Sequence, residues 1–437
     1  MKKYTVIIGI ICLLSCVKYV NAQLMTEINA SFYSQALDEV KDLKILLPAD
    51  YFNYPANVHY PVIYYLHGWT QNQNEVSQMK TITSAYIQTG VIDPVIIVAA
   101  DNDCSPFDGS FFMNSPLWGN YEDYNVEDVV AWMDENFRTI PERKGRAIMG
   151  NSMGGYGAFR YAVLHKDKFT AIAAHASIVS ADKELFMDTC RSKIIAEQTQ
   201  GPPYFYTYSI SKPFTAGAFL MSGAFSPDSN SSQTYINPQV VYFLFDEYGN
   251  YIDSVYQKWQ QNSITNMIKT LTPDDSTGIL FACGINDEFM LYPSNLALAD
   301  TLETLDLPFE FFSHTGGHSP TNEYKQISLK FLDSLLMDPV IALGIDEMSG
   351  MSRISHLTLF PNPVERMFTL SFQLKQTAAV KISLCNLYGS TLEWIMEEPL
   401  QAGHHQIEKN LSAYSPGVYF LRLQAGEEVV VQKVIRY

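Results

Sequence analysis

Basic residues are scarce in this chain of 437 residues: Lys plus Arg total 29 against 46 Asp plus Glu, a formal charge of -17. The first 22 residues hold Lys2, Lys3 and Lys18 and no acid, so the remainder carries 26 minus 46, or -20. An acidic surface without a basic stripe repels phosphate backbones, which predicts no nucleic-acid partner. Cysteine is also sparse. Of 6, Cys12 and Cys16 lie in those first residues, and Cys104, Cys190, Cys283 and Cys385 are scattered without any CxxC pair. That spacing excludes zinc-ribbon and thioredoxin-type sites and predicts no metal. A disulfide among the first three of the four stays open if the compartment is oxidising. No run beyond the N-terminal stretch approaches the roughly 18 apolar residues of a membrane helix, so no transmembrane span is expected. With 47% hydrophobic and 17% charged residues, wholesale disorder is excluded.

The ends of the chain differ from its middle. Lys2 and Lys3, an apolar stretch from Val6 to Val17, and Val20-Asn21-Ala22 before Gln23 have the layout of a secretory signal. Residues 1–22 are therefore expected to be a signal peptide, with Leu13-Leu14-Ser15-Cys16 as a loose lipobox competing for the same stretch. Residues 341–354, with Gly344 and Gly350, lack hydrophobic periodicity and are expected to be a linker. From 355 to 437, about seven short alternating runs, such as Thr369 to Leu374 and Val418 to Leu423, predict a small antiparallel β-sandwich. Leu359-Phe360-Pro361-Asn362-Pro363, Asn386-Leu387-Tyr388-Gly389, Ser415-Pro416-Gly417-Val418-Tyr419-Phe420 and the terminal Lys433-Val434-Ile435-Arg436 resemble the C-terminal sorting domain of the type IX secretion system. That resemblance implies export through the periplasm and outer membrane to the cell surface or beyond, with the secretion machinery as a partner. A carbohydrate-binding or adhesive sandwich is the competing reading of the strands alone.

Between residues 23 and 340 strands alternate with helices. Strand candidates are Val62 to Leu66, Val95 to Ala100, Arg146 to Met149, Ala171 to Ala174, Ile279 to Ala282 and Phe309 to Phe312, with helical patterns such as Val126 to Phe137, Gly154 to His165, Pro293 to Leu305 and Asn322 to Met337. Such alternation predicts an α/β fold with a mostly parallel sheet. Arg146-Ala147-Ile148-Met149 runs into Gly150-Asn151-Ser152-Met153-Gly154-Gly155 and then a helix, the strand, turn and helix context of a GxSxG nucleophile elbow. Ser152 is the candidate nucleophile. A hydroxyl needs a base to take its proton and an acid to orient that base, in the order Ser, Asp or Glu, His. Two strand exits supply them: Gly284-Ile285-Asn286-Asp287-Glu288 and Thr315-Gly316-Gly317-His318-Ser319. Asp287 and His318 are the candidates, with Glu288 and His314 as competitors, while His165 and His175 read as structural. The oxyanion requires two N–H donors. Met153 follows the nucleophile, and Trp69 stands in His67-Gly68-Trp69-Thr70 after the Val62 to Leu66 strand.

The same body resembles the esterase D-like family of α/β-hydrolases, which includes feruloyl and acetylxylan esterases and S-formylglutathione hydrolases. The likeness rests on Lys44 to Pro48 with Tyr51, His67-Gly68, Gly150 to Gly155, Ala224-Phe225-Ser226-Pro227, Cys283-Gly284 with Asp287, and Gly316-Gly317-His318. It implies an α/β-hydrolase fold and a cofactor-free serine esterase. A long insert at about 178–262, rich in aromatics from Tyr204 to Tyr208 and at Phe214, departs from the family's short connection. Its rings either form a lid or its own core, and with Trp118 and Tyr121 they suit an aryl or sugar ring. Asp101-Asn102-Asp103 and Asp108 match no EF-hand spacing.

The expected function is a secreted serine carboxylic ester hydrolase acting on acetyl or feruloyl esters of plant polysaccharide. A serine peptidase or an acyltransferase on the same fold, and a non-catalytic carbohydrate-binding surface protein, are the alternatives from other classes.

Overall fold

The computed structural model describes residues 24–52, 57–341, 353–386, 391–426 and 428–437. The signal-peptide and lipobox expectations, nearly all of the linker, and Leu387-Tyr388-Gly389 lie outside them.

The main sheet of the region before residue 341 has eight strands: β1 (Thr26–Ser34), β2 (Glu39–Leu47), β3 (Val62–Leu66), β4 (Ile96–Ala100), β5 (Arg146–Asn151), β6 (Ala171–His175), β7 (Gly278–Gly284) and β8 (Glu310–His314). They lie in the order β1-β2-β4-β3-β5-β6-β7-β8. From β4 through β8 neighbours are parallel, whereas β1, β2 and β4 pair antiparallel. The α/β expectation holds. All five residues of β3, β4 and β6 are buried, as apolar runs covered on both faces must be. Alternation still decides direction: Val62, Tyr64 and Leu66 join one core, Ile63 and Tyr65 the other. The β1–β2 hairpin was not anticipated from the sequence. Its outer strand alternates buried and solvated positions, as an antiparallel edge does.

The longer helices are α1 (Lys80–Gln88), α2 (Val130–Asn136), α3 (Met153–Leu164), α4 (Asp188–Ala196), α5 (Pro213–Phe225), α6 (Asp253–Gln261), α7 (Tyr292–Thr304) and α8 (Asn322–Asp333). No helix among the described residues is long and apolar enough to cross a membrane. Successive parallel strands flank β3 on opposite sides, β4 on one and β5 on the other. The loops leaving β3 and β5 therefore meet at a switch point, where open α/β sheets place their ligands. The connection from β6 to β7 spans 176–277, longer than the expected insert, and carries α4, α5 and α6.

The C-terminal region holds β9 (Ile354–Phe360), β10 (Met367–Leu374), β11 (Ala378–Cys385), β12 (Thr391–Leu400), β13 (Gly403–Asn410), β14 (Gly417–Ala425) and β15 (Glu428–Arg436). They form sheets β9-β10-β13 and β12-β11-β14-β15, all antiparallel. Phe368, Leu370, Phe372 and Leu374 of β10 face Val380, Ile382 and Leu384 of β11 across one apolar core.

Candidate active site

Ser152 sits between β5 and α3 with φ 57° and ψ -115°, a conformation that costs a non-glycine residue energy and turns its side chain out of the sheet. The glycines around it permit the turn. A Cβ at Gly150 would lie 2.1 Å from the Gly154 carbonyl oxygen, and one at Gly154 would lie 2.0 Å from that of Leu66. Met153 is the first residue of α3, so its N–H has no intrahelical acceptor and stands at the positive end of the helix.

The loop that carries Trp69, the other candidate donor, is held by His67. Its Nε2 accepts the Asn102 N–H at 3.0 Å, so the proton is on Nδ1, which donates to the Gly68 carbonyl at 2.9 Å. Burial lowers the His67 pKa to about 4, keeping the ring neutral as this pattern requires. The Gly68 carbonyl and the Trp69 N–H belong to one peptide plane, so His67 sets the direction of that N–H. The Trp69 N–H has no partner among the described residues. Its indole donates to Phe107 O at 2.8 Å while the side chain lines the cavity.

His318 Nδ1 lies 2.8 Å from Asp287 Oδ2, and the Asp287 side chain is fully buried. Asp287 Oδ1 also accepts the Phe289 N–H at 2.9 Å and the Leu291 N–H at 3.3 Å. Glu288 plays a different part from the one it competed for: its Oε2 accepts the His318 backbone N–H at 2.6 Å, fastening the loop rather than the ring. Ser152 and His318 line the same cavity. The Ser152 hydroxyl makes no hydrogen bond among the described residues, a looseness common before substrate binds.

His314 and His175 form a pair beneath the site. The Gly316 N–H donates to His314 Nδ1 at 3.1 Å, which leaves the proton on Nε2. That Nε2–H reaches His175 Nε2 at 3.0 Å, and His175 Nδ1–H then donates to Asn151 Oδ1 at 3.1 Å. Burial lowers both pKa values, that of His175 to about 3, so two neutral imidazoles join the His318 loop to Asn151, the residue before Ser152. His165 is structural too, sharing the buried Glu122 with Arg160.

The cavity measures about 680 Å³ including its open mouth. The connection between β6 and β7 supplies most of its wall: Phe186 and Met187 before α4, Cys190 and Ile194 on it, Phe214, Gly217, Ala218 and Met221 on α5, and Trp259 on α6. Phe289 packs edge-on against His318 with ring centroids 4.7 Å apart and meets Phe214 at 5.9 Å. Trp118 and Tyr121, expected to bind substrate, do not line it. The Trp118 indole donates to Met113 O, and Tyr121 is buried with its hydroxyl near Lys41 Nζ and Asp103 O. Tyr204, Tyr206 and Tyr208 pack within the insert and against Phe107, Phe219 and Phe243, so core rather than lid describes them. The wall residues had a sequence signal, since Phe186, Cys190 and Ile194 recur at helical spacing. The spacing marks a buried face without saying what it faces.

The acidic loop after β4 is occupied by the protein's own groups: Lys41 Nζ is 3.2 Å from Asp101 Oδ2, and the Tyr208 hydroxyl donates to Asp108. Among the described residues no cluster of three or more His, Cys, Asp or Glu has metal-holding geometry. Cys104, Cys190, Cys283 and Cys385 are unpaired, and burial raises the Cys190 thiol to about 12.

Comparison with known proteins adds the following. Residues 34–304 match the family described as Putative esterase, a span that contains Ser152 and Asp287 and ends before His318. Residues 358–436 match the secretion system C-terminal sorting domain, which indicates export. An esterase of Mycobacterium tuberculosis is 28% identical over 157 residues, 35% of this chain and 32% of that protein. A protein named endo-1,4-beta-xylanase/feruloyl esterase from Xylanibacter ruminicola is 27% identical over 134 residues, 29% of this chain and 18% of that one. The chain thus spans a third or less of the length of these curated relatives. A solved ferulic acid esterase superposes with a TM-score of 0.50 at 19% identity, covering 71% of this chain and 98% of that one, which shows an α/β-hydrolase fold.

Proposed function

The chain belongs to the Putative esterase family, and from that premise we propose that it is an exported serine carboxylic ester hydrolase working through Ser152, His318 and Asp287. One observation carries the reading: a serine in a strained elbow shares a cavity with a histidine whose Nδ1 is held by a buried carboxylate. In this mechanism Ser152 Oγ bonds to the ester carbonyl carbon while its proton passes to His318 Nε2. The Met153 and Trp69 N–H groups receive the oxyanion. His318 then protonates the departing alkoxide, leaving an acyl-enzyme. Water gives a proton to His318 and its oxygen to the carbonyl carbon, and the Ser152 Oγ bond breaks as the serine recovers its proton. Asp287 holds the ring so that Nδ1 keeps its hydrogen throughout.

A polysaccharide-borne alcohol suits an exported enzyme, and the name of the Xylanibacter ruminicola relative supports it. The test is labelling with a fluorophosphonate and turnover of an aryl acetate. Ser152→Ala should abolish labelling and lower kcat by roughly 10⁴- to 10⁶-fold with folding unchanged. Labelling of another serine, or substantial turnover by Ser152→Ala, would refute the assignment.

A further inference from the structure

We propose that the cavity beside Ser152 is an acyl site for apolar carboxylic acids, medium-chain or phenyl-bearing without ring oxygens, in preference to acetyl and feruloyl groups. The proposal rests on the catalytic reading above and revises the acyl groups expected from the sequence.

The chemistry of the wall is the first argument. Ser152 and His318 are committed to bond making, and the Trp69 indole N–H is already given to Phe107 O. The Trp259 indole N–H is likewise given to Ser226 Oγ at 3.2 Å, and every other lining side chain is hydrocarbon or sulfur, with Phe111 and Met187 almost wholly buried. No lining side chain is left to pair with a phenolic hydroxyl, and burying one unpaired is unfavourable.

Size and depth point the same way. The apolar wall runs from Ile178 and Phe186 along α4 and α5 to Trp259 and Phe289, more surface than an acetyl methyl can cover. The acyl half stays bonded to Ser152 until water arrives, whereas the alcohol must leave. The apolar recess beside Ser152 therefore serves the acyl half. Met153, Met187 and Met221 give this wall side chains that adapt to different apolar shapes. Gly217 lies inside α5, where glycine disfavours the helix, and a Cβ added there would meet nothing within 4 Å. The missing side chain keeps part of the cavity open.

The experiment measures kcat/KM of the full chain on methyl esters that share one alcohol: acetate, hexanoate, cinnamate, 4-hydroxycinnamate and ferulate. Each buried methylene is worth roughly fourfold, so hexanoate should exceed acetate by more than about tenfold. Cinnamate should exceed its hydroxylated analogues by roughly 10- to 100-fold. Gly217→Leu, whose Cβ would meet nothing within 4 Å, places a side chain in this space and should lower the hexanoate and cinnamate values about tenfold more than the acetate value. Ser152-dependent turnover that favours acetate or ferulate, or an equal effect of Gly217→Leu on all esters, overturns this proposal alone. Turnover that survives Ser152→Ala overturns the catalytic reading beneath it.

Discussion

Acid should destabilise the catalytic domain through histidines that the fold keeps neutral. His67 and His175 have pKa values lowered by burial to about 4 and about 3, against 6.5 for an exposed ring. The unfolded chain therefore binds protons that the native state refuses. A base with a depressed native pKa lets the protein keep its full stability above pH 6.5 and lose it as pH falls through that value. Between pH 7 and pH 5 each ring contributes a loss of about 2 kcal/mol, together about 4 kcal/mol, against a total stability of about 5–15 kcal/mol. The hydrogen bonds explain why protonation is resisted. His67 Nε2 accepts from Asn102, and His175 Nε2 accepts from His314, so a proton on either nitrogen replaces an attraction with a clash of donors. His318 and Lys325 add like charge toward His175, while Glu323 and Asp287 act on His314 in the opposite sense to its burial.

Urea unfolding followed by tryptophan fluorescence from pH 5 to pH 8 reads this domain well, because Trp69, Trp118, Trp132 and Trp259 lie in it and only Trp394 lies in the sandwich. Asp93, Asp103 and Asp333 have pKa values raised by burial and act with the opposite sign, so variants isolate the histidine contribution. His175→Gln keeps a hydrogen-bonding side chain and removes one titration. Its slope between pH 6 and pH 5 should be shallower by about 1 kcal/mol per pH unit. A wild-type slope corresponding to less than half a proton, or a slope unchanged in His175→Gln, would refute the reasoning.

Other perturbations have equally definite outcomes. Gly154→Ala drives a methyl into the Leu66 carbonyl, a backbone group that cannot step aside, and should cost more than about 4 kcal/mol, seen as loss of soluble folded protein or a large fall in Tm. Glu122→Gln leaves the Arg160 guanidinium without its anion in a site where the Glu122 side chain is 9% exposed; the expected cost is about 3–5 kcal/mol by urea unfolding, and a change below about 1 kcal/mol would mean the pair is solvated. A chain ending at residue 341 should keep its aryl acetate turnover and lose export, because Ser152, Asp287, His318, Met153 and Trp69 all precede that point; a folded but inactive truncation would show that the sandwich is needed for catalysis.

The parts legible in the sequence are those whose constraints are local. The elbow at Ser152, between two glycines with a strand before it and a helix after, is specified by residues 146–164, and Gly150 and Gly154 occur where the backbones nearly touch. The proximity of Asp287 and His318 was legible because a parallel sheet sends successive strand exits to one edge, so chain order predicts it. Trp118 and Tyr121 failed as substrate contacts because aromatic character is shared by pocket walls and cores; only the partners Met113 O, Lys41 and Asp103 O, all from other segments or turns, separate the two. The walls formed by α4 and α5 were hidden for the same reason. Phe186, Cys190 and Ile194 announce a buried helical face, yet a face has no address until the fold brings it against Phe289 and Ser152. Chemistry and selectivity are thus encoded at different ranges along this chain. The residues proposed to break the ester each sit in a locally specified turn or strand exit, so the reaction class can be proposed early. The residues proposed to choose the acid are brought together by packing between distant helices, so a preference for one acyl group can be proposed only once the cavity is in view.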